Sequence, residues 1–167
     1  MGIYRCEVKR IKVKGKRFSF RFKNLLPFTS MISIEQIRPE LTWRLRHRVL
    51  YPAQKLYEME MEEDNQGIHF GAFKDNELVG VVSLFHQDHD FQFRKFAVDS
   101  EVQNTGIGKM LLKYVEDIAI AQGGKRIWCN ARVTAIGFYS RYGYMPTGAS
   151  YSNNGFDYEV MEKLIPN

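Results

Sequence analysis

The stretch RKFAVDSEVQNTGIGKMLLKYVEDIA, Arg94 to Ala119, runs from an apolar strand through a short polar loop with two glycines into a long amphipathic helix. Ile107, Met110, Leu111, Tyr114, Val115 and Ile118 recur at intervals of three and four, which predicts a helix from about Gly106 to Gln122 with one buried face. Gly123 and Gly124 end it. The first N–H groups of such a helix have no partner within it, and its dipole places partial positive charge there. With Gly106 and Gly108 in front, the backbone can approach an anion closely and aim several N–H groups at it, as a phosphate cradle does. An ordinary strand-to-helix turn explains the glycines equally well. Two nucleotide loops fail on the letters: GxxxxGK[ST] needs glycine at Gln103 and a hydroxyl at Met110, and GxGxxG needs a third glycine at Leu111 and an acid where IWCN stands.

Working outward, MISIEQI reads as an opening strand, and RPELTWRLRHRVLY as a helix with Pro39 near its start, where a missing N–H costs least. Leu41, Trp43, Leu45 and Val49 give that helix an apolar face. Pro52 stops or kinks it, and AQKLYEMEMEED reads as a second helix or helical loop. IHFGAF and LVGVVSLF bracket KDNE as a hairpin, and FQFRKFAV continues the meander after HQDHD. RIWCN is a short strand, TAIGFYSRYG a helix closed by Gly143, and DYEVMEKL a final strand. The order β–α–α–β–β–β–α–β–α–β predicts an α/β fold with a mixed, mostly antiparallel central sheet flanked by helices.

Bulk properties narrow the class. A chain of 167 residues with 44% hydrophobic side chains can bury a core in one domain. Its apolar runs fall far short of the ~20 residues that span a bilayer, and MGIYRCEVKR lacks the apolar run of a signal peptide. Cys6 and Cys129 read as free thiols of a cytoplasmic protein. The net charge of +5 is concentrated at one end: residues 1–30 hold nine basic side chains and one acid, Glu7, leaving fifteen basic and eighteen acidic residues in 31–167. Residues 1–30 are therefore expected to be a basic extension outside the domain proper, poorly ordered or adding one strand through Ile11, Val13, Phe18, Phe20 and Phe22. Contact with nucleic acid through this arm is an alternative reading, and it is disfavoured.

The arrangement Q-x-x-G-x-G between strand and helix, with WCNARVTAIGFYSRYGY about thirty residues later, resembles the GNAT superfamily of acyl-CoA-dependent N-acyltransferases. The likeness covers nearly all of 31–167 and none of the arm. It implies an N-acetyltransferase using acetyl-CoA as acyl-donor cosubstrate and an amine of a small molecule or peptide as acceptor, by direct attack in a ternary complex. It also implies that main-chain amides around Gln103, Asn104, Gly106, Ile107, Gly108 and Lys109 hold the coenzyme A pyrophosphate. The pantetheine arm would lie along the strand at Phe96, Ala97 and Val98, where one N–H polarises the thioester carbonyl. Dimers are common in the family, so a homodimer is left open, as is a non-catalytic acyl-CoA-binding module.

Tyr139 stands where the family often carries the tyrosine that protonates the departing thiolate, and a phenol with a pKa near ~10 suits that task. Tyr142 and Tyr144 read as packing residues. Many members have Asn seven residues before that tyrosine; here the position is Arg132, with Asn130 two residues earlier, so both are candidate cofactor contacts. Arg132 could instead meet a phosphate or an anionic group on the acceptor, or equally form a surface ion pair. The base is not legible: His69, His86, His89, Glu60, Glu62 and Asp90 all qualify, and HQDHD reads as a solvated turn before a metal cluster. Arg94 lines the acceptor cleft or pairs with Glu101. Cys129 lacks the partners of an acyl-carrying nucleophile. The acids of YEMEMEED weakly favour a cationic acceptor.

Overall fold

Three tight turns set most of the sheet. In each, positive φ at the turn supplies the twist that a two-residue hairpin needs. Asp75 and Asn76 (φ 51° and 69°) join β2 (Ile68–Lys74) to β3 (Glu77–Gln87). Asp88 (φ 52°) leads into β4 (Asp90–Val98). Asn154 and Gly155 (φ 49° and 76°) join β6 (Met145–Asn153) to β7 (Phe156–Leu164). The remaining elements are β1 (Ile32–Ile37), α1 (Pro39–Leu45), α2 (Ile107–Ala121), β5 (Arg126–Arg132) and α3 (Ile136–Ser140). This computed structural model describes residues 31–166, so the basic arm, its expected strand and Cys6 lie outside the described residues.

The seven strands form one sheet in the order β1-β2-β3-β4-β5-β7-β6, antiparallel throughout except where β4 meets β5. The expected fold class, a mixed and mostly antiparallel sheet flanked by helices, is the one observed. One strand more than expected is present. β6 is exposed along its whole length and has no apolar alternation to reveal it, although Asn154-Gly155 is a strong hairpin signal. AQKLYEMEMEED forms only short 3₁₀ turns, Leu56–Met59 and Asp64–Gln66. Tertiary bonding wins there: the Asp64 carboxylate accepts from the Met61 N–H and from buried Arg46, which fixes the chain in a non-helical path.

The two sheet faces differ. On one, α2 and α3 bury Phe91, Phe93, Ile107, Leu111, Leu112, Val115, Ile127, Cys129, Tyr139 and Tyr144 in a continuous core. The helix face is rotated slightly from the expected one: Leu112 and Ala119 are buried, while Met110 is 40% exposed. On the other face, Leu45 of α1 packs on Val81 and Ala97. Leu41, expected on the apolar side of α1, is exposed. After Leu45 the helix widens into a π turn, Arg46–Leu50, closed by a bond from the Tyr51 N–H to the Arg46 carbonyl.

Below α1 lies a buried polar knot. Arg46, fully buried, donates to both Asp64 carboxylate oxygens at 2.8 Å, to the Ser83 hydroxyl at 2.8 Å and to the Met59 carbonyl at 2.9 Å. His69 bonds Ser83 through Nδ1 and the Asp64 carbonyl through Nε2, each at 2.7 Å. Burial alone would raise the Asp64 carboxyl; the Arg46 bond and the Met61 N–H outweigh it and hold the group below its usual range. The knot pins the 59–66 segment onto β2 and β3.

Candidate active site

The sheet forks at its centre. β4 and β5 pair only from Asp90–Gln92 with Arg126–Trp128, although β4 continues to Val98 and β5 to Arg132. Beyond that point β4 is bonded to β3 alone and β5 to β7 alone. Each strand therefore turns a row of backbone donors and acceptors toward the gap.

A bulge in β4 sits at the fork. Val81 faces Ala97 and Ser83 faces Arg94, so Lys95 and Phe96 together oppose Val82. Lys95 has φ 52°, a left-handed conformation that costs a non-glycine residue roughly 1–2 kcal/mol. The extra residue reverses the alternation of the strand. Before it, Phe91 and Phe93 point into the α2/α3 core; after it, Phe96 and Val98 do. Arg94 and Lys95 are thereby left side by side on the α1 face.

A cavity of about 440 Å³ passes through the fork. On the α2/α3 side its walls are Phe93, Phe96, Cys129, Ala135 and Tyr139; on the α1 side they are Arg94, Lys95, Asn130, Arg132, Tyr51 and the β6–β7 residues Tyr151, Asn153 and Tyr158. Tyr139 is 7% exposed and boxed by the rings of Phe93, Phe96, Phe138 and Tyr144 at centroid distances of 5.1 to 6.4 Å. Its hydroxyl lies beside the Cys129 thiol. Burial, then that thiol, push the phenol well above its ordinary range. Burial likewise pushes the Cys129 thiol far up, with Tyr139 opposing. Cys129 is therefore a neutral thiol, and a poor nucleophile.

Two of the three cations of the α1 side, Lys95 and Arg132, meet neutral partners. Lys95 Nζ donates to the Tyr51 hydroxyl at 3.0 Å. Arg132 donates to the Leu50 carbonyl at 2.5 Å and lies 3.6 Å from the Phe156 ring centroid. The Tyr158 hydroxyl adjoins both Arg132 and Tyr51. Burial, and after it the fields of Arg46 and Arg132, hold the Lys95 ammonium below its usual range, against Tyr158 and Asp64. Arg94 pairs with Glu63 at 3.3 Å rather than with Glu101, and its Nε donates to Gln92 at 2.7 Å.

The loop before α2 is open. Gln103 to Gly106 are exposed, and a Cβ at Gly106 would meet nothing within 4 Å; its φ of 96° is what calls for glycine. Asn104 is also left-handed, at 61°. The Gln103 side chain is already bonded to the Val98 carbonyl at 3.0 Å, which ties the loop to the end of β4 and leaves the main chain to face a ligand. Gly108 brings α2 close to Phe138 of α3. The strand edge at Phe96–Val98, the loop Gln103–Lys109, and the cavity wall with Asn130, Arg132 and Tyr139 are thus joined through one fork.

The six base candidates lie elsewhere. His69 is buried in the Arg46 knot, His86 stacks on Phe91 and His89 bonds the Gly123 carbonyl. Asp90 pairs with Arg126, while Glu60 and Glu62 are exposed. None of them lines the 440 Å³ cavity, and among the described residues no carboxylate does. No cluster able to hold a metal ion occurs among the described residues, HQDHD included. Sequence reasoning missed Lys95 and Tyr51: the only written sign of the bulge is that FQFRKFAV keeps phenylalanines at 91 and 93 and then shifts to 96.

Comparison with known proteins agrees with this architecture. The model of the acetyltransferase (GNAT) domain family matches residues 34–165. A Bacillus subtilis (strain 168) protein described as an uncharacterized N-acetyltransferase, YitI, is 27% identical over 145 residues, covering 81% of this chain and 97% of that one. Among solved structures, a GNAT family acetyltransferase from Elizabethkingia anophelis with acetyl-CoA bound superposes with a TM-score of 0.64 at 21% identity, covering 80% of this chain and 98% of that one. The ribosomal-protein-S18-alanine N-acetyltransferase from Escherichia coli superposes at 0.67 with 17% identity, covering 81% and 94%. No helix among the described residues is long and apolar enough to cross a membrane. With a family model spanning nearly the whole described chain, this protein belongs to the GNAT acetyltransferases, whose acyl donor is acetyl-CoA.

Proposed function

We propose that this chain transfers the acetyl group of acetyl-CoA directly to an amine, in a ternary complex, at the point where the cavity crosses the β4–β5 fork. The carrying observation is that one cavity joins a buried neutral phenol, Tyr139, to a cationic face. The main-chain groups of Phe96, Ala97 and Val98 would bond the pantetheine arm, with one N–H as oxyanion donor, an interaction typically worth about 2.7–4 kcal/mol in the transition state. The amides of Gln103, Asn104, Gly106, Ile107, Gly108 and Lys109 would hold the diphosphate.

Two residues report what such a site does to the reacting groups. Cys129 is pushed up, so a thiolate at this depth seeks a proton, and the Tyr139 hydroxyl beside it is positioned to give one. Lys95 is pushed down, so an ammonium on the α1 side is disposed to lose its proton. Burial and neighbouring positive charge thus do part of the work that a general base does elsewhere. That reading accommodates a cavity lined by no carboxylate or histidine.

The test is titration calorimetry with acetyl-CoA, followed by release of free thiol when amines are added. Intact-mass measurement after mixing with acetyl-CoA alone should show no stoichiometric acetyl adduct on Cys129. Such an adduct, formed and consumed at the turnover rate, would replace the ternary complex with a covalent route.

A further inference from the structure

The acceptor side of the cavity carries uncompensated positive charge. Arg94, Lys95 and Arg132 line it with no carboxylate among the lining residues. Arg94 has Glu63, but the pair is 36% and 46% exposed and is loosely held. Among the described residues, Lys95 and Arg132 meet two phenols, a carbonyl and ring faces. The bulge forces Lys95 onto the same face as Arg94, in a left-handed backbone conformation. Just beyond Arg94, in an adjoining cavity of about 250 Å³ that Glu63 and Asp90 also line, Gln92 is 7% exposed and its Nε2 donor has no partner among the described residues. In the 440 Å³ cavity three positive side chains thus face no lining carboxylate among the described residues. Placing like charges together there is unfavourable until an anion enters.

Of the acids that might have drawn in a cation, Glu63 is paired with Arg94 and Asp64 with Arg46, and neither lines the cavity. Glu58, Glu60 and Glu62 are exposed and do not line the cavity. A purely cationic amine would meet repulsion on entering. An amine carrying its own negative group would not, and the positive face would still favour loss of the amine proton.

Building on the transferase reading above, we propose that the acceptor is an amine bearing an anionic oxygen group, a carboxylate or a phosphate, which is held between Lys95 and Arg132. Arg132 supplies a planar fork suited to two oxygens, and its remaining N–H groups are free of acidic partners among the described residues. Tyr51, Tyr151 and Tyr158 add hydroxyls around the same opening.

Matched acceptor pairs test this: tyrosine against tyramine, and O-phosphoethanolamine against ethanolamine, with spermidine as the cationic arm. Each is assayed for thiol release with full-length protein already shown by calorimetry to bind acetyl-CoA. At least one anion-bearing member should exceed its neutral-tailed partner by about tenfold or more in kcat/KM, since a site built to bond a polar group rejects the analogue that lacks it. The pair that responds distinguishes carboxylate from phosphate. Arg132→Met should bring the ratio toward one while acetyl-CoA affinity holds, and Arg132→Lys should keep part of the preference. Circular dichroism checks that both variants are folded. The inference is overturned if tyramine, ethanolamine or spermidine matches or exceeds the anionic members. It is also overturned if no anionic member reacts despite bound acetyl-CoA. Loss of acetyl-CoA affinity in Arg132→Met with the preference intact would move that residue to the cofactor. Failure of the native protein to bind acetyl-CoA brings down the transferase reading and this one together.

Discussion

The two faces of the sheet are built on different physics. The α2/α3 face is a dry apolar core with rings around Tyr139. The α1 face holds a buried ion pair and a cationic cavity wall. An apolar face is tolerant, because its energy is spread over many small contacts. A buried charge cluster concentrates its energy in a few bonds, and removing one partner leaves the other unsolvated. On the proposed reading, the neutral acid of the reaction sits on the tolerant face, and the parts that would shape the acceptor on the exacting one.

The largest contrast should appear in activity. Tyr139→Phe keeps the ring box and removes the hydroxyl, and should lower kcat by roughly 10²–10⁴-fold, the usual contribution of a positioned acid, with acetyl-CoA affinity little changed. Undiminished turnover would take the phenol out of the chemistry. Next comes stability. Arg46→Met strands Asp64 and should cost about 3–5 kcal/mol in denaturant unfolding, with Arg46→Met/Asp64→Asn recovering part of it. Leu111→Ala on the opposite face should cost about 2–5 kcal/mol through its cavity.

Acid should separate the faces further. The Asp64 carboxyl titrates below its unfolded value of about 3.9. Its contribution is therefore complete above that pH and disappears as pH falls through the lowered folded value. Unfolding free energy should drop in that range in the native protein and drop less in Arg46→Met/Asp64→Asn. Leu111→Ala should follow the native slope, displaced downward. The smallest effect is expected at the loop: Gly106→Ala meets no atom but keeps φ 96°, so it should lose about 1–2 kcal/mol through backbone strain alone. A melting temperature unchanged by that variant would mean the loop relaxes freely.

The same contrast explains what could be read beforehand. The α2 face was legible to within a small rotation, because its residues are neighbours along one helix and period gives the face though not its edges. The loop and Tyr139 were singled out by the family resemblance that Gln103, Gly106, Gly108 and FYSRYGY carry, and the structure sets Tyr139 in the cavity wall. Lys95 was not, because its place depends on a one-residue slip between β3 and β4 that no local pattern states. The Arg46 knot joins residues 18 and 37 positions apart, and the side chains that hold it look like ordinary surface charges in the sequence. β6 went unseen for the opposite reason, having no buried side to pattern it.

The parting of β4 from β5 has one more consequence. Exposed strand edges usually lie at a sheet's rim, where another protein can add to them without limit. Here the two edges face each other and converge on the Gln92–Trp128 pair, so whatever completes them must be thin, must end at the vertex and must offer amides of its own. Occupancy then closes the ladder and stiffens the molecule across its middle, and by mass action an occupant at a hundred times its dissociation constant raises the unfolding free energy by about 2.7 kcal/mol. On the proposed reading, the resting protein carries a slot in its own backbone that its acyl donor would fill as a temporary eighth strand.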